Sequence, residues 1–324
     1  MSDTLDQTDR EICAALLRNG RASWRRIARA TGIQERTVAR RGARLLEQQL
    51  VRVKALAQPH LVGRGEATFA RIACRPGATP QVAQWLAHRD EALWVATVSD
   101  GTAVIAECYL RPEDRSAFIE EAIGELPVTS SSFLPIAYFH RTVRGWNPNI
   151  LVPEQLEQLG ENESQALTAA DDPPPLDPTD RDIIALLEVD GRRSIETIAA
   201  ELGLAKPTVR KRIDHMQRTD TVSIRAVLEP ALLGFPNEVL VTARARQSAL
   251  ATLGERIAEN WHARWVAEIP AASEVRATLT LGERTELRDV LREIDAHCED
   301  ALIELTAAPI LHHAKRSDVV LTRA

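Results

Sequence analysis

With 324 residues, 44% of them apolar, and a formal net charge of −6, the chain carries enough apolar material for several folded cores and is too acidic to coat nucleic acid along its whole length. No apolar run approaches the ~18 residues needed to cross a bilayer, and the polar start MSDTLDQTDR has no leader-like apolar stretch, so a cytoplasmic protein with no membrane partner is expected. Cys13, Cys74, Cys108 and Cys298 are scattered without a C-x-x-C pair, which excludes a disulfide framework and the usual zinc spacings.

Residues 1–55 read as three short helices. Ile12 and Leu16 mark one face of the first, Ser23 caps the second over Ile27, and Gly32 breaks the chain before a third with Val38 and Leu45 turned inward. Three short helices with a glycine between the second and third describe a helix-turn-helix. The window 21–54 holds ten Lys or Arg against only Glu35 and Glu47. On the third helix the outward positions are Gln34, Glu35, Arg36, Thr37, Arg40, Arg41 and Arg44, suited to a duplex major groove about 12 Å wide, while Arg25 and Arg26 on the second are placed to hold phosphates. Gly42 costs about 1 kcal/mol against alanine in a helix and leaves a packing position unfilled, so this reader is expected to be held loosely.

Residues 60–147 change period. ATFARIACRP, LWVATV, AVIAECYL and SFLPIAYFHR read as strands, PQVAQWLAHRD and DRSAFIEEAIGEL as helices, giving the β-α-β-β-α-β order of a ferredoxin-like domain. Residues 148–175 are acidic, poor in aromatics and end in three prolines, and are expected to be a plain tether with a span of roughly 30 Å.

From residue 176 the chain repeats itself. A shift of 171 places LDPTDRDIIALLEVDGR on LDQTDREICAALLRNGR, Gly203 on Gly32, Thr208 and Val209 on Thr37 and Val38, and the WVA at 265–267 on that at 94–96. A period this long is a duplicated domain pair, because solenoid units run to only ~20–50 residues. A second helix-turn-helix is expected at 176–226 and a second ferredoxin-like domain at 231–324, an α+β chain overall with two copies of a winged, three-helix module followed by β-α-β-β-α-β. Ile183 and Leu187, then Ile198 and Ala199, then Val209, Ile213 and Met216 form the inward stripes. Lys206, Thr208, Arg210, Lys211, Arg212 and His215 face outward as the second reader. Trp94 and Trp265 suit domain-interface packing, and His312 and His313, on opposite faces of one strand, read as surface residues.

These motifs (LDxTDRxI, GRxS before the second helix, IAxxxGI or IAxxxGL, TVxRR or TVRKR, and PHLVG or PxLLG) resemble the Lrp/AsnC family of feast/famine regulators. The resemblance covers nearly the whole chain outside the tether, twice. It implies operator-binding helix-turn-helices on double-stranded DNA, ferredoxin-like domains that dimerise and sense amino acids or related metabolites, and a homo-oligomer. The family's effector-lining turn falls here on Ser99, Asp100 and Gly101, and on Ser273 and Glu274. A tandem chain offers two arrangements: its halves pair with each other and imitate a dimer, or they pair with those of another chain. Two other readings stay open: an architectural DNA binder without effector, and a sirohaem decarboxylase, an enzyme class that resembles the same two-module pattern but carries histidine where this chain has ALWVATV and ARWVAEI. The leading expectation is a regulator with no catalytic residue, metal or cofactor.

Overall fold

A computed structural model describes residues 5–98, 102–124, 126–160, 176–297 and 301–321. Copy one runs α1 (Gln7–Arg18), α2 (Trp24–Thr31), α3 (Glu35–Glu47), β1 (Arg52–Ala57), β2 (Glu66–Cys74), α4 (Thr79–Ala87), β3 (Ala92–Val98), β4 (Ala103–Leu110), α5 (Arg115–Gly124), β5 (Val128–Pro135), β6 (Tyr138–Arg141) and α6 (Pro153–Leu159). Copy two runs α7 (Pro178–Val189), α8 (Ile195–Leu202), α9 (Lys206–Arg218), β7 (Val222–Val227), β8 (Asn237–Ala245), α10 (Leu250–Glu259), β9 (Ala263–Ile269), β10 (Glu274–Leu281), α11 (Glu286–His297), β11 (Leu302–Arg316) and β12 (Val319–Val320). The chain divides into two compact units, each built from both copies. One comprises 1–62 with 144–234, and the other 63–143 with 235–324.

In the first unit each copy contributes a triplet of helices and one strand, and copy one adds α6. The strands β1 and β7 pair antiparallel, and the register sets Lys54 opposite Arg225, its own counterpart under the 171-residue shift. A local two-fold axis therefore passes through that pair. Each strand packs on the first helix of the other copy, β1 on α7 and β7 on α1. Val53 and Ala55 of copy one accordingly sit in one core with Ile183, Leu187, Ile198, Val209, Ile213 and Met216 of copy two. Neither helical triplet closes its core without a strand from the other.

Two glycines make that exchange possible. The Gly20 N–H donates to the Ile224 carbonyl at 2.9 Å and the Gly191 N–H to the Val53 carbonyl at 2.8 Å. Arg21 then donates to the carbonyls of Gly191 (2.7 Å) and Arg193 (3.0 Å), and Arg192 donates in turn to those of Gly20 (2.7 Å) and Ala22 (3.1 Å). The repeated Gly-Arg pair is thus a reciprocal clasp between copies. Charge-assisted bonds to backbone carbonyls are among the stronger hydrogen bonds, and four of them fix the two helical triplets together.

The segment expected to be only a tether is partly structured. Pro153 starts α6 at its first turn, where a missing N–H costs little, and Leu159 is fully buried. The helix lies along α2 and the end of α1, with Asn19 donating to the Leu159 carbonyl at 3.0 Å and Arg26 to that of Gln158 at 2.8 Å. Residues 161–175 fall outside the described residues.

The second unit holds one sheet in the order β5-β2-β4-β3-β11-β8-β10-β9-β6, with β12 on β11. Within each copy the strands follow a β-α-β-β-α-β path and lie in the spatial order fourth, first, third, second. The fifteen residues of β11 pair first with β8 and then, from Ile310, with β3 of copy one. The stretch SFLPIAYFHR, expected to be a single strand, breaks at Ile136 and Ala137 into β5, paired with β2, and β6, paired with β9 of copy two. Like domains are therefore joined by exchanged strand ends.

One face of each copy's strands is covered by its helices, through Val82, Leu86, Val95, Val104 and Leu110 in copy one and Leu250, Ile257, Val275, Leu279 and Ile294 in copy two. The other faces meet in a layer that is aromatic and charged. Trp265 stacks on Trp94 (6.4 Å between centroids) and meets Phe69 and Phe139 at about the same distance, so both tryptophans serve packing between copies. His313, expected on the surface, is buried: the Trp94 indole donates to its Nδ1 at 3.0 Å, and its Nε2 lies 3.0 Å from Glu238. Arg316 grips the same carboxylate at 2.7 Å. The simple alternation read from the sequence breaks down at this end of β11, where the pairing with β3 shifts register on both sides of His312 and His313 and the last four residues are all buried.

Candidate nucleic-acid interface

The interface is built on α2–α3 and α8–α9. Ser23 accepts from the Arg26 N–H at 3.2 Å and Ser194 from that of Thr197 at 3.0 Å, satisfying donors that a helix start leaves free. Gly32 (φ 75°) and Gly203 (φ 65°) end those helices in the left-handed region, which only glycine enters cheaply, and so turn the chain into α3 and α9.

What the repeated LDxTD opening does becomes visible only in three dimensions. Asp6 caps α1 through the Asp9 N–H, and both carboxylates take Arg41 of α3; Asp9 also takes Arg44. In copy two, Asp177 and Asp180 form a reciprocal capping box and take Arg212 of α9 at 2.7 and 2.8 Å. The Arg41 guanidinium, hydrogen-bonded to Asp6, holds that carboxyl below its usual range and is itself pushed up. For Asp177 the Asp180 backbone N–H acts first and Arg212 second. Arg41, Arg44 and Arg212, expected from the sequence to face the groove, are therefore staples that seat the third helix on the first.

The outward set that remains is smaller. Gln34, Glu35, Arg36, Arg40, Thr208, Arg210, Lys211 and His215 are exposed, and Thr37 is half-buried. Lys206 is exposed with Glu196 at 3.4 Å, a solvent-facing pair worth little in stability. Arg25 is exposed, whereas Arg26 has given one donor to α6. Among the described residues Arg25, Arg29, Arg36, Arg40, Arg210 and Lys211 enter no ion pair.

Gly42 is not the weak point the sequence suggested. A Cβ there would lie 2.5 Å from the Trp24 ring, and that ring, on α2, occupies the space that Ile213 fills in copy two. Arg192 of the other copy stacks over the same indole at 4.3 Å. Gly42→Ile should consequently destabilise the first unit by about 2 kcal/mol through overpacking, although isoleucine is native at the matching position. Thermal unfolding would check this, and adding Trp24→Ala should restore most of the loss.

Of the effector-turn residues, Ser99, Asp100 and Gly101 lie outside the described residues. Ser273 adopts a left-handed conformation (φ 57°) and its hydroxyl takes the Gln247 amide at 2.9 Å, while Glu274 is bound to Arg276 at 2.6 Å. Both are already engaged inside copy two.

The AsnC-type helix-turn-helix domain model matches residues 5–46 and 176–217. The HTH-type transcriptional regulator FL11 of Pyrococcus abyssi is 30% identical over 129 residues, which is 39% of this chain and 85% of that protein, and its namesake from Pyrococcus horikoshii is 28% identical over 125 residues, 38% and 82% respectively. Each relative thus spans about one copy. A solved siroheme decarboxylase, NirDL, shares the fold over 96% of this chain and 93% of its own with a TM-score of 0.62, at 11% identity. The repeated motif, its two matched windows and the extent of the FL11 likeness together place the chain in the Lrp/AsnC family, with the family's helix-turn-helix present twice in one polypeptide.

Proposed function

We propose that the protein is a sequence-specific, DNA-binding transcriptional regulator that works as a single-chain dimer, its two helix-turn-helices presented together and its two ferredoxin-like domains paired within one polypeptide. One observation carries the reading. The α1 and α7 carboxylates consume the inward arginines of the third helices, while Arg36, Arg40, Arg210 and Lys211 face outward, without an ion pair among the described residues, on two helices clasped across a local two-fold. A duplex supplies the missing charge, and binding it releases condensed counterions. The regulators named among the relatives support the same assignment. In copy two the turn residues Ser273 and Glu274 are bonded to Gln247 and Arg276. The likeness to a siroheme decarboxylase at 11% identity carries the fold alone, and no reaction is assigned from it.

Arg36→Ala with Arg40→Ala should weaken duplex binding and flatten the dependence of log K on log salt by about one unit for each phosphate no longer neutralised. Fluorescence anisotropy over a salt series measures both. Arg41→Ala, which breaks a staple, should instead lower the unfolding midpoint and leave the slope alone while the chain remains folded. An unchanged affinity and slope for the Arg36/Arg40 variant would remove those residues from the interface.

A further inference from the structure

We infer that the operator is a two-part, non-palindromic site in which one half, met by α3, carries most of the sequence information and the other, met by α9, is gripped with little base preference. This rests on the DNA-binding reading above and adds which helix reads. Identical readers related by a two-fold axis select a palindrome, because each presents the same groups to its half-site. Here the axis through Lys54 and Arg225 relates two readers of different chemistry.

The first turn of the third helix contacts base edges in this motif. Copy one places Gln34, Glu35 and Arg36 there, all exposed. Gln can bond adenine and Arg guanine through two atoms each, and Glu can accept from cytosine, so three successive side chains discriminate bases. The matching residues of copy two are Ala205, Lys206 and Pro207. Alanine has no hydrogen-bonding group, proline has no donor at all, and the Lys206 ammonium is a point charge beside Glu196. Further along, Thr37 and Arg40 find near equivalents in Thr208 and Lys211, but Ala39 is replaced by Arg210, a further exposed cation. Copy two has exchanged discriminating groups for charge.

The anchoring differs in the same direction. Reader one is held by two arginines on Asp9, by the Trp24 ring against Gly42, and by α6 along the side of α2 that carries Arg26. Reader two keeps Arg212 on its α7 carboxylates but has exposed His215 in place of Arg44. In place of Arg26 it has Thr197, whose hydroxyl is turned to Ser194. A helix held in place by its own fold loses less freedom when it must align two-atom bonds with a base edge.

Selection from a randomised duplex library with the full chain tests this. The expected result is one constrained half-site and, about 10 base pairs away centre to centre, a second of low information. Gln34→Ala with Arg36→Ala should then lower the preference for the selected site over random duplex at least tenfold. Arg210→Ala with Lys211→Ala should weaken selected and random duplex by the same factor and leave the preference intact. A palindrome with equal information in both halves, or a preference lost in the Arg210/Lys211 variant, would overturn the inference while leaving DNA binding standing. Failure to bind any duplex at low salt would overturn the DNA-binding reading itself.

Discussion

Gly20→Ala and Gly191→Ala should each cost the first unit about 3 kcal/mol, the sum of overpacking and a strained buried hydrogen bond. Neither glycine has a positive φ, so both are required by space and not by backbone conformation. A Cβ on Gly20 would stand 2.7 Å from the Val53 side chain and 2.8 Å from both the Arg225 Cα and the Ile224 carbonyl. One on Gly191 would stand 2.9 Å from the Lys54 nitrogen and the Val53 carbonyl carbon. Most of these neighbours are backbone atoms of the β1–β7 ribbon, which cannot swing aside as a side chain would. The ribbon must back away, and with it go the Gly20–Ile224 and Gly191–Val53 hydrogen bonds and the seating of Arg21 and Arg192. Denaturant unfolding of the single variants would show the loss. The double variant should also bind duplex more weakly, because readers no longer held at one separation cannot engage two half-sites at once. Wild-type midpoints in both single variants would mean that the clasp contributes nothing.

Local signals are legible in the sequence wherever a residue's role is decided within a turn or two of helix. Ser23, Gly32, Ser194 and Gly203 cap and end their helices as their types and spacing imply, and the inward stripe of Ile183, Ile198, Val209, Ile213 and Met216 is the core found. Roles set by distant partners are not legible. On a helical wheel Arg41 falls beside the inward stripe of Val38 and Leu45 and Arg40 opposite it, but that Arg41 is a staple is decided by Asp6 and Asp9, more than thirty residues upstream, which nothing local to the helix announces. The strands RVKALA and VSIRAV alternate, yet each is a strand only because the other, some 170 residues away, pairs with it. The helix α6 does have a local signature, proline at its start with Leu156 and Leu159 three apart, which the acidic composition of the whole segment conceals. His313 and Arg316, three apart on β11, would face opposite ways by simple alternation; the register shift between His313 and Lys315 brings both to Glu238, and with Glu107 these polar groups become an interior between the strands of the two copies.

That interior predicts an unusual dependence of stability on pH. Glu107 lies on the face of β4 opposite its helix-side core, fully enclosed, with the Tyr109 hydroxyl donating to it at 2.8 Å and the Trp265 indole beside it. Burial pushes its carboxyl from 4.5 up to about 7, and these neighbours only partly oppose the shift. A raised acid means that the folded chain keeps a proton which the unfolded chain has already released. Between about pH 4.5 and 7 the unfolded state binds fewer protons, so stability falls as pH rises through that window and levels off above it. A shift of this size corresponds to about 3 kcal/mol. Glu238, buried in the same unit, behaves oppositely. Burial alone would raise it, but Arg316 and His313 hold it well below its usual range, so its contribution is lost only under strongly acidic conditions. His140 is lowered by burial despite Glu268, which adds stability as pH rises towards 6.5 and partly masks the Glu107 effect in the wild type. Glu107→Gln isolates it: the amide keeps the shape and an acceptor for Tyr109 but cannot ionise. The stability difference between variant and wild type should be small near pH 5 and reach about 3 kcal/mol in favour of the variant at pH 8, read from denaturant unfolding followed by tryptophan fluorescence. A difference that stays flat across that range would show that Glu107 is ionised in the folded chain, and that the layer between the two copies' strands admits enough water to solvate it.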